Sequence, residues 1–388
     1  MRICGIIAEY DPLHNGHVWQ LNEARRVTGA EYVVCSMSGS FTQRGMPALL
    51  SAHARAKMAL SHGADLVLQP PVSFSVCNAE RFALGGVSLL RQAGADALCF
   101  GAEPEGIPHI EAAASLLENP TPAFQSALRR LLDRGIGFPA AQGQAAAEIL
   151  GIDPAALALP NTALGICYAR ANMRLNAGMR LFPVPRSGRY HDTALPADEA
   201  LPSATAVRAA ALSGQWEQVR AAVPSDVFDA LKAAFESGSC HLPHALDGLL
   251  RWKLREGKGL DRLPDLSEGI ENRLSAAAGC LTREEMIGKI KTKRYPYARI
   301  SRLLTHTLLG ADAARLSALP EYGYVLGFRR EASALLRGGQ KAGFPFLTHA
   351  DPGALSDEMR LDARADDLWA LGARQPFGAI FREKPVIL

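Results

Sequence analysis

His14 and His17 stand three residues apart with Asn15 and Gly16 between them, after an apolar run holding Ile3, Ile6 and Ile7 and a break at Asp11-Pro12. Such a run reads as a strand buried on both faces, the Asp-Pro pair stops it, and a helical pattern begins near Gly16. Both histidines thus fall at a helix mouth. The first N–H groups of a helix lack internal partners, and the macrodipole adds roughly half a positive charge there. That is an anion site before any side chain is counted. Two imidazoles add donors that can follow charge developing on phosphate oxygens during displacement at phosphorus, while Gly16 lets a ribose or base lie against the backbone. The chemistry indicated is that of a nucleotide, although two loop histidines that merely cap a helix satisfy the spacing equally well.

The elements that must position this pair follow from the periodicity. Strand-like runs at 3–8, 31–36, 65–68 and 96–100 alternate with amphipathic helical patterns at 16–28, 47–62 and 78–93, which end at Gly29, Gly63 and Gly94. A repeat of about 30 residues is a βαβ unit, and its recurrence predicts an α/β fold with a doubly wound parallel sheet. Ligands bind beyond the carboxyl ends of such strands, which is where His14, the loop 38–45 and Gly101 fall. In that loop Arg44 beside Gly45 suits a phosphate or a substrate carboxylate, while Ser38-Gly39 is also ordinary turn punctuation. The Ala-rich stretch 107–150 reads as a helical insertion without chemistry, 161–174 as a helix, and 181–185 as a fifth strand whose Pro183 favours an edge or a strand end. Arg186 follows that strand, placed for a phosphate. Ser203 is a candidate N-cap with Thr205 and Arg208 in the first turns, a second helix mouth.

Beyond residue 212 helices dominate to about 310, so the chain divides into an α/β part, 1–212, and a mainly helical part, 213–388. The strand-like runs 324–328 and 344–348, with acidic residues from Asp351 to Asp367, read as a small α+β cap. The stretch 283–302 gathers Arg283, Lys289, Lys291, Lys293, Arg294, Arg299 and Arg302 against Glu284 and Glu285, with Tyr295 and Tyr297 among them. A solvated face is the usual fate of a charge run. Single-stranded RNA, however, is held by phosphate contacts and aromatic stacking together.

A length of 388 residues suits two or three domains, and a net charge of +3 leaves any nucleic-acid surface to local clustering. Seven cysteines without a Cys-x-x-Cys pair, three of them (Cys4, Cys35, Cys99) in apolar runs, read as reduced core thiols of a cytoplasmic protein. No uninterrupted apolar span of about 18 residues occurs, so neither an export signal nor a membrane helix is expected. Cys240-His241 and His244, with Pro243 between and no second ligand pair, read as loop rather than zinc site.

The His-x-Gly-His element after a first strand resembles the signature of nucleotidyltransferases that attack the α-phosphate of ATP and expel pyrophosphate. The longer blocks, Glu9-Tyr-Asp-Pro-Leu-His-Asn-Gly-His17, Met37-Ser-Gly-Ser-Phe-Thr-Gln-Arg-Gly-Met-Pro47, Phe100-Gly-Ala-Glu103 and Tyr190-His-Asp192, together resemble the bacterial tRNA(Met) cytidine acetate ligase family, from Met1 to about Arg302. The resemblance implies activation of acetate to acetyl-adenylate and transfer of the acetyl group to the N4 amine of the wobble cytidine of elongator tRNA(Met). It implies His14 and His17 on phosphate oxygens, and ATP contacts from Ile7, Ala8, Glu9, Tyr10, Asp11, Pro12, Leu13, Asn15, Gly16, Gly101, Asn161, Arg186, Ser203, Thr205 and Arg208. On the residue readings above, Ser38, Gly39 and Arg44 are the candidate substrate loop, and Lys289, Lys291, Lys293, Arg294, Arg299 and Arg302 the candidate tRNA contacts. Mg2+ is expected with the ATP, with no protein ligand that the sequence names.

The chain departs from the family pattern at Asp11, where asparagine is usual, at Gln69-Pro70-Pro71 in place of Glu-Leu-Pro, and at Ala102 in place of serine. A carboxylate at position 11 would repel a triphosphate unless it met magnesium or a histidine. Two other functions share part of the pattern. One is an adenylyltransferase acting on a small phosphorylated metabolite, and the other is a catalytically inactive tRNA-binding homologue.

Overall fold

The computed structural model describes residues 2–186, 203–266, 269–292, 295–341 and 343–388. Its framework is one sheet made of β1 (Ile3–Ala8), β2 (Tyr32–Met37), β3 (Leu66–Gln69), β4 (Ala97–Ala102), β5 (Arg180–Pro185), β6 (Gly323–Phe328), β7 (Phe346–Leu347) and β8 (Val386–Ile387). The order is β5-β4-β1-β2-β3-β6-β7, with β8 also on β6. From β5 to β3 the pairing is parallel, with Ile3 opposite Tyr32 and Cys4 opposite Ala97. Strand order reverses at β1, which makes the space beyond the ends of β1 and β4 the switch-point crevice.

Alternate residues of each strand feed two cores. Val34, Leu66, Leu68, Leu98 and Phe100 face one layer, while Cys4, Ile6, Val33, Cys35, Val67 and Cys99 face the other. That is why the strands read as continuous apolar runs. β2, β3 and β4 each start one residue later than the sequence suggests, and Asp65 and Asp96, just before β3 and β4, serve as side-chain acceptors for neighbouring strands. Asp65 accepts from the Val33 N–H at 2.7 Å and Asp96 from the Ile3 N–H at 3.1 Å. The crossover helices are Asn15–Thr28, Ala52–Ser61 and Ala79–Gln92. The second is shorter than expected: Pro47 pairs with Phe41 as an isolated bridge, and Ser51 caps the helix from outside by accepting the Ala54 N–H. Gly86 lets the third helix close on β1, since a Cβ there would lie 2.6 Å from Cδ1 of Ile7.

The insertion expected at 107–150 forms the helices Ile110–Glu118, Pro122–Asp133 and Phe138–Leu150, whose alanines pack into the first core beside Pro160–Arg174. β5 lies at the sheet edge, as Pro183 predicts. The C-terminal strands are placed differently from expectation. β6 pairs antiparallel with β3 and brings Val325 into one core and Leu326 into the other, so 324–328 completes the first sheet and is not part of a separate cap. Only Phe346–Leu347 of the second run is strand. The acidic stretch forms the helix Asp357–Gly372, which packs beside the turn after β3: Asp362 accepts from the Val72 N–H and the Tyr322 hydroxyl at 2.7 and 2.6 Å. A third core, with Leu250, Leu254, Ile287, Ile300, Leu304 and Leu308, joins the helices from Asp247–Glu256 to Tyr297–Leu309.

Candidate active site

A cleft of about 470 Å3 opens beyond β1 and β4. Ile7, Ala8, Glu9, Tyr10, Asp11, His17, Gly101, Asn161, Arg186, Ser203, Thr205 and Arg208 form one wall. The rest of the lining includes Thr42, Gln43 and Arg44 from the loop after β2 and His241, His244, Asp247, Arg283 and Glu284 from the helical part. Most of the expected nucleotide residues are thus brought together. Pro12, Leu13, His14, Asn15 and Gly16 are not in the wall but build the turn behind it. Leu13 is fully buried, and the Asn15 amide donates to the Ala221 carbonyl at 3.1 Å.

The histidine pair is both cap and chemistry. His14 is the N-cap of Asn15–Thr28: its Nδ1 accepts the Gly16 N–H at 3.1 Å, and Nδ1 of His17 accepts the His14 N–H at 3.4 Å. The rings stack with centroids 3.7 Å apart, and Tyr10 meets His17 edge-on at 5.0 Å. With each Nδ1 used as an acceptor, the remaining proton of each neutral ring sits on Nε2. Burial, followed by the charges of Arg186 and Arg208, lowers His14 to about 3. Burial and the neighbouring His14 and Arg186 hold His17 well below the ordinary histidine range. The pair is therefore neutral near pH 7 and presents Nε2–H donors. Nε2 of His14 is buried behind the wall without a hydrogen-bond partner, while His17 lines the cleft.

The second helix mouth meets the first through Asp11. Ser203 caps Ala204–Leu212 by accepting the Ala206 N–H at 3.1 Å. Arg208 donates to the Asp11 carbonyl, lies 3.4 Å from its carboxylate, and donates to the Thr205 hydroxyl at 3.3 Å. The other Asp11 oxygen accepts the Leu49 N–H at 2.7 Å. This corrects the expectation of magnesium or a histidine beside it: the carboxylate is neutralised by an arginine and a backbone donor. Glu9 accepts the Gln43 N–H at 2.6 Å and is raised by burial against the pull of that bond.

Asn161 does not cap its helix, which starts at Pro160 with Leu159 as N-cap. It bridges two charged groups instead, donating to Glu103 at 2.7 Å and accepting from Arg186 at 3.3 Å. Glu103 also takes the Thr162 N–H and hydroxyl at 2.7 and 2.9 Å. Burial raises this carboxyl, but the Asn161 and Thr162 donors outweigh it and the group is lowered. Gly101 leaves the cleft open beside Arg186, where a Cβ would make only ordinary contact at 3.7 Å. Ala102 is buried at the end of β4 opposite Pro185.

Of the expected substrate loop only Arg44 lines the cleft. Ser38 and Gly39 lie behind it, their carbonyls held by Arg55, which is wholly buried and also donates to the Glu9 carbonyl at 2.6 Å. Gly39 sits so close to Gln69 that a Cβ would lie 2.6 Å from its amide carbon. Arg55, Glu103 and Gln43 were missed by sequence reading. The one available signal for Arg55 was an arginine on the apolar face shared by Ala52, Ala56 and Ala59.

The basic segment is divided between core and surface, with Lys289 exposed and Arg299 half-buried. Arg283 is buried and donates to the Gly45 and Ser301 carbonyls at 2.9 and 2.5 Å, Lys289 to the Ala276 carbonyl at 2.7 Å, and Arg299 to the Asp265 carbonyl at 2.8 Å. Arg302 is buried and pairs with the Asp265 carboxylate at 3.3 Å. Tyr295 is core, and the Tyr297 hydroxyl donates to Glu284 at 2.6 Å. Lys291 is exposed. Lys293, Arg294 and the Tyr190-His-Asp192 block lie outside the described residues. On the same side of the cleft, His241 is buried and lowered to about 4 by that burial, and His244 pairs with Asp247 through Nδ1 at 2.8 Å. Among the described residues no three His, Cys, Asp or Glu side chains are grouped to hold a metal ion. No helix among them is long and apolar enough to cross a membrane.

Comparison with known proteins bears on this geometry. The model of the HIGH nucleotidyl transferase family matches residues 1–379. The tRNA(Met) cytidine acetate ligase of Clostridium tetani is 34% identical over 387 residues, covering 96% of each chain. That of Clostridium novyi is 31% identical over 401 residues, covering all of both. Among solved structures, Thermotoga maritima TmcAL in its apo form superposes with a TM-score of 0.92 at 26% identity over the whole of both chains. The same protein bound with alpha-thio ATP gives 0.88.

Proposed function

The chain belongs to the tRNA(Met) cytidine acetate ligase family of HIGH nucleotidyl transferases, and we propose that it joins acetate to the N4 amine of the wobble cytidine of elongator tRNA(Met) at the expense of ATP. The observation that carries this reading is the pair of neutral, Nε2-protonated imidazoles at one helix mouth, close to the charges of Arg186 and Arg208. Acetate is ionised at pH 7, its class titrating near 4, so its attack on the α-phosphate requires no base. It requires alignment and charge stabilisation. Neutral donors that need no reorganisation supply the second, with His17 and His14 meeting charge that grows on the phosphate oxygens while Arg186 and Arg208 hold the phosphates. Gly101 and Asn161 border the space for the nucleoside. Acetyl-adenylate forms and pyrophosphate leaves.

The Glu9 and Asp11 carboxylates are already engaged by Gln43, Leu49 and Arg208, so the described residues offer Mg2+ no cage. The ion fits as part of the nucleotide, held by phosphate oxygens and water. In the second stage the cytidine amine attacks the acetyl carbon and AMP departs. The base must leave the anticodon stack to reach the cleft, and exposed Lys291 beside the helical wall suits a tRNA phosphate.

The test is mass spectrometry of nucleosides from unmodified elongator tRNA(Met) incubated with the protein, ATP and acetate, each omitted in turn. N4-acetylcytidine should form only in the complete mixture. Its absence there would overturn the ligase reading, and acetate-dependent exchange of pyrophosphate into ATP would then show whether the adenylating half serves another acceptor.

A further inference from the structure

The second half-reaction needs something the first does not. The lone pair of the cytidine amine is delocalised into its ring, and nitrogen gains positive charge as it attacks, so a proton must leave as the N–C bond forms. We propose that His244 is the base that takes this proton, with Asp247 as its positioning residue, an inference that rests on the ligase reading above.

Three observations carry it. His244 lines the same cleft as His17 but belongs to the helical wall, beside the apolar side chains of Leu242, Leu246 and Leu250 against which a base ring can lie. Its Nδ1 is 2.8 Å from the Asp247 carboxylate, which only accepts, so Nδ1 carries the proton and Nε2 keeps its lone pair. That is the opposite tautomer from His14 and His17. Its backbone is held at φ 68°, in the left-handed region, within a turn closed by the Asp247 N–H on the His244 carbonyl at 3.1 Å. A non-glycine residue in that region costs energy and persists where the surrounding structure fixes it. The Asp247 side chain is largely buried, 13% exposed, whereas that of His244 is 60% exposed and reachable by a large substrate.

His241, also in the cleft, is buried with its Nε2 packed against Gly372, and the other competing groups are committed elsewhere. Nδ1 of both His14 and His17 accepts a backbone N–H, Asp11 is paired with Arg208, Glu9 accepts from Gln43, and Glu284 accepts from Tyr297. In the step itself the amine nitrogen bonds to the acetyl carbon and the carbon–oxygen bond to phosphate breaks. AMP leaves with that electron pair, and the amine proton passes to Nε2 of His244.

The experiment compares His244→Asn and His244→Ala with the wild-type full chain, measuring acetate-dependent pyrophosphate exchange into ATP and single-turnover acetylation of elongator tRNA(Met) side by side. Asparagine tolerates the left-handed backbone and removes the base. Exchange should stay within about twofold of wild type, while acetyl transfer falls by about 100-fold or more. Imidazole in the buffer should restore part of the transfer in His244→Ala, and Asp247→Asn should lower transfer with exchange again spared. Transfer within a few-fold of wild type in both His244 variants, or equal loss of exchange and transfer, would overturn the assignment. Wild-type protein that forms no acetylcytidine would overturn the ligase reading and this inference together.

Discussion

Two histidine sites share one cleft, and their partners set them to opposite tasks. At the mouth of the first crossover helix His14 is buried, His17 is half-buried and stacked on it, and each Nδ1 accepts a backbone N–H, so the rings are neutral donors. On the helical wall His244 is exposed, and its Nδ1 faces a carboxylate, so Nε2 is an acceptor. The residue type is the same in both places. What differs is the group on the second ring nitrogen and the access of water, and these decide whether an imidazole steadies an anion or removes a proton.

The sharpest way to break this comparison is His17→Ala. It removes one donor and the acceptor for the His14 N–H, so pyrophosphate exchange should fall by about 10²- to 10³-fold. Retention of tRNA on filters should stay unchanged; a parallel loss of both would make the pair purely structural. Next comes the helical wall, where charge serves the fold. Arg283→Leu leaves the Gly45 and Ser301 carbonyls without their buried donor, and urea titration should show a loss of about 2–4 kcal/mol. A change under 0.5 kcal/mol would contradict the burial.

Acid separates two further groups by the sign of their shifts. The folded His14 value of about 3 lies below the ordinary 6.5, so the unfolded chain takes up a proton that the folded one refuses. Its contribution is complete above about 6.5 and is lost as pH falls toward 3. Asp366, which accepts the Ser40 hydroxyl at 2.5 Å, runs the other way: burial raises it from 3.8 to about 6. Stability from its neutral form is present below 3.8 and lost as pH rises through 6. Asp366→Asn keeps an acceptor and removes the charge, so its melting temperature relative to wild type should climb by about 1–3 °C between pH 4 and pH 7. A flat difference would mean that the carboxyl titrates normally. The smallest effect belongs to Lys291→Ala, which should leave stability unchanged. If Lys291 meets one phosphate, the variant should flatten the log–log salt dependence of tRNA binding by about 0.7–0.9.

Much of the sheet was legible because its signals are local. The βαβ spacing, Pro183 at the edge strand, Ser203 as N-cap and the His14-to-His17 block each depend on residues within a few positions of one another. The helix expected from Pro47 starts at Ala52 because Pro47 pairs with Phe41, a contact no helical period reveals. The basic run from 283 to 302 divides between core and surface for a related reason. Charge can be counted along a chain, but the acceptors that bury Arg283 and Arg302 lie at Gly45, Ser301 and Asp265.

The sequence by itself determined the parallel core of the sheet, the helix mouth with its two histidines and the family to which they belong. These rest on apolar period, capping and backbone breaks, interactions that span at most a turn or a strand. Only the tertiary structure decided that β6 closes onto β3 and that Arg55 ties the loop after β1 to the loop after β2. It alone set Asp11 between Leu49 and Arg208 and brought His244 to the same cleft as His17. Those arrangements pair groups far apart in the chain, and whether a polar side chain is solvated, buried or matched depends on the neighbours that folding brings to it.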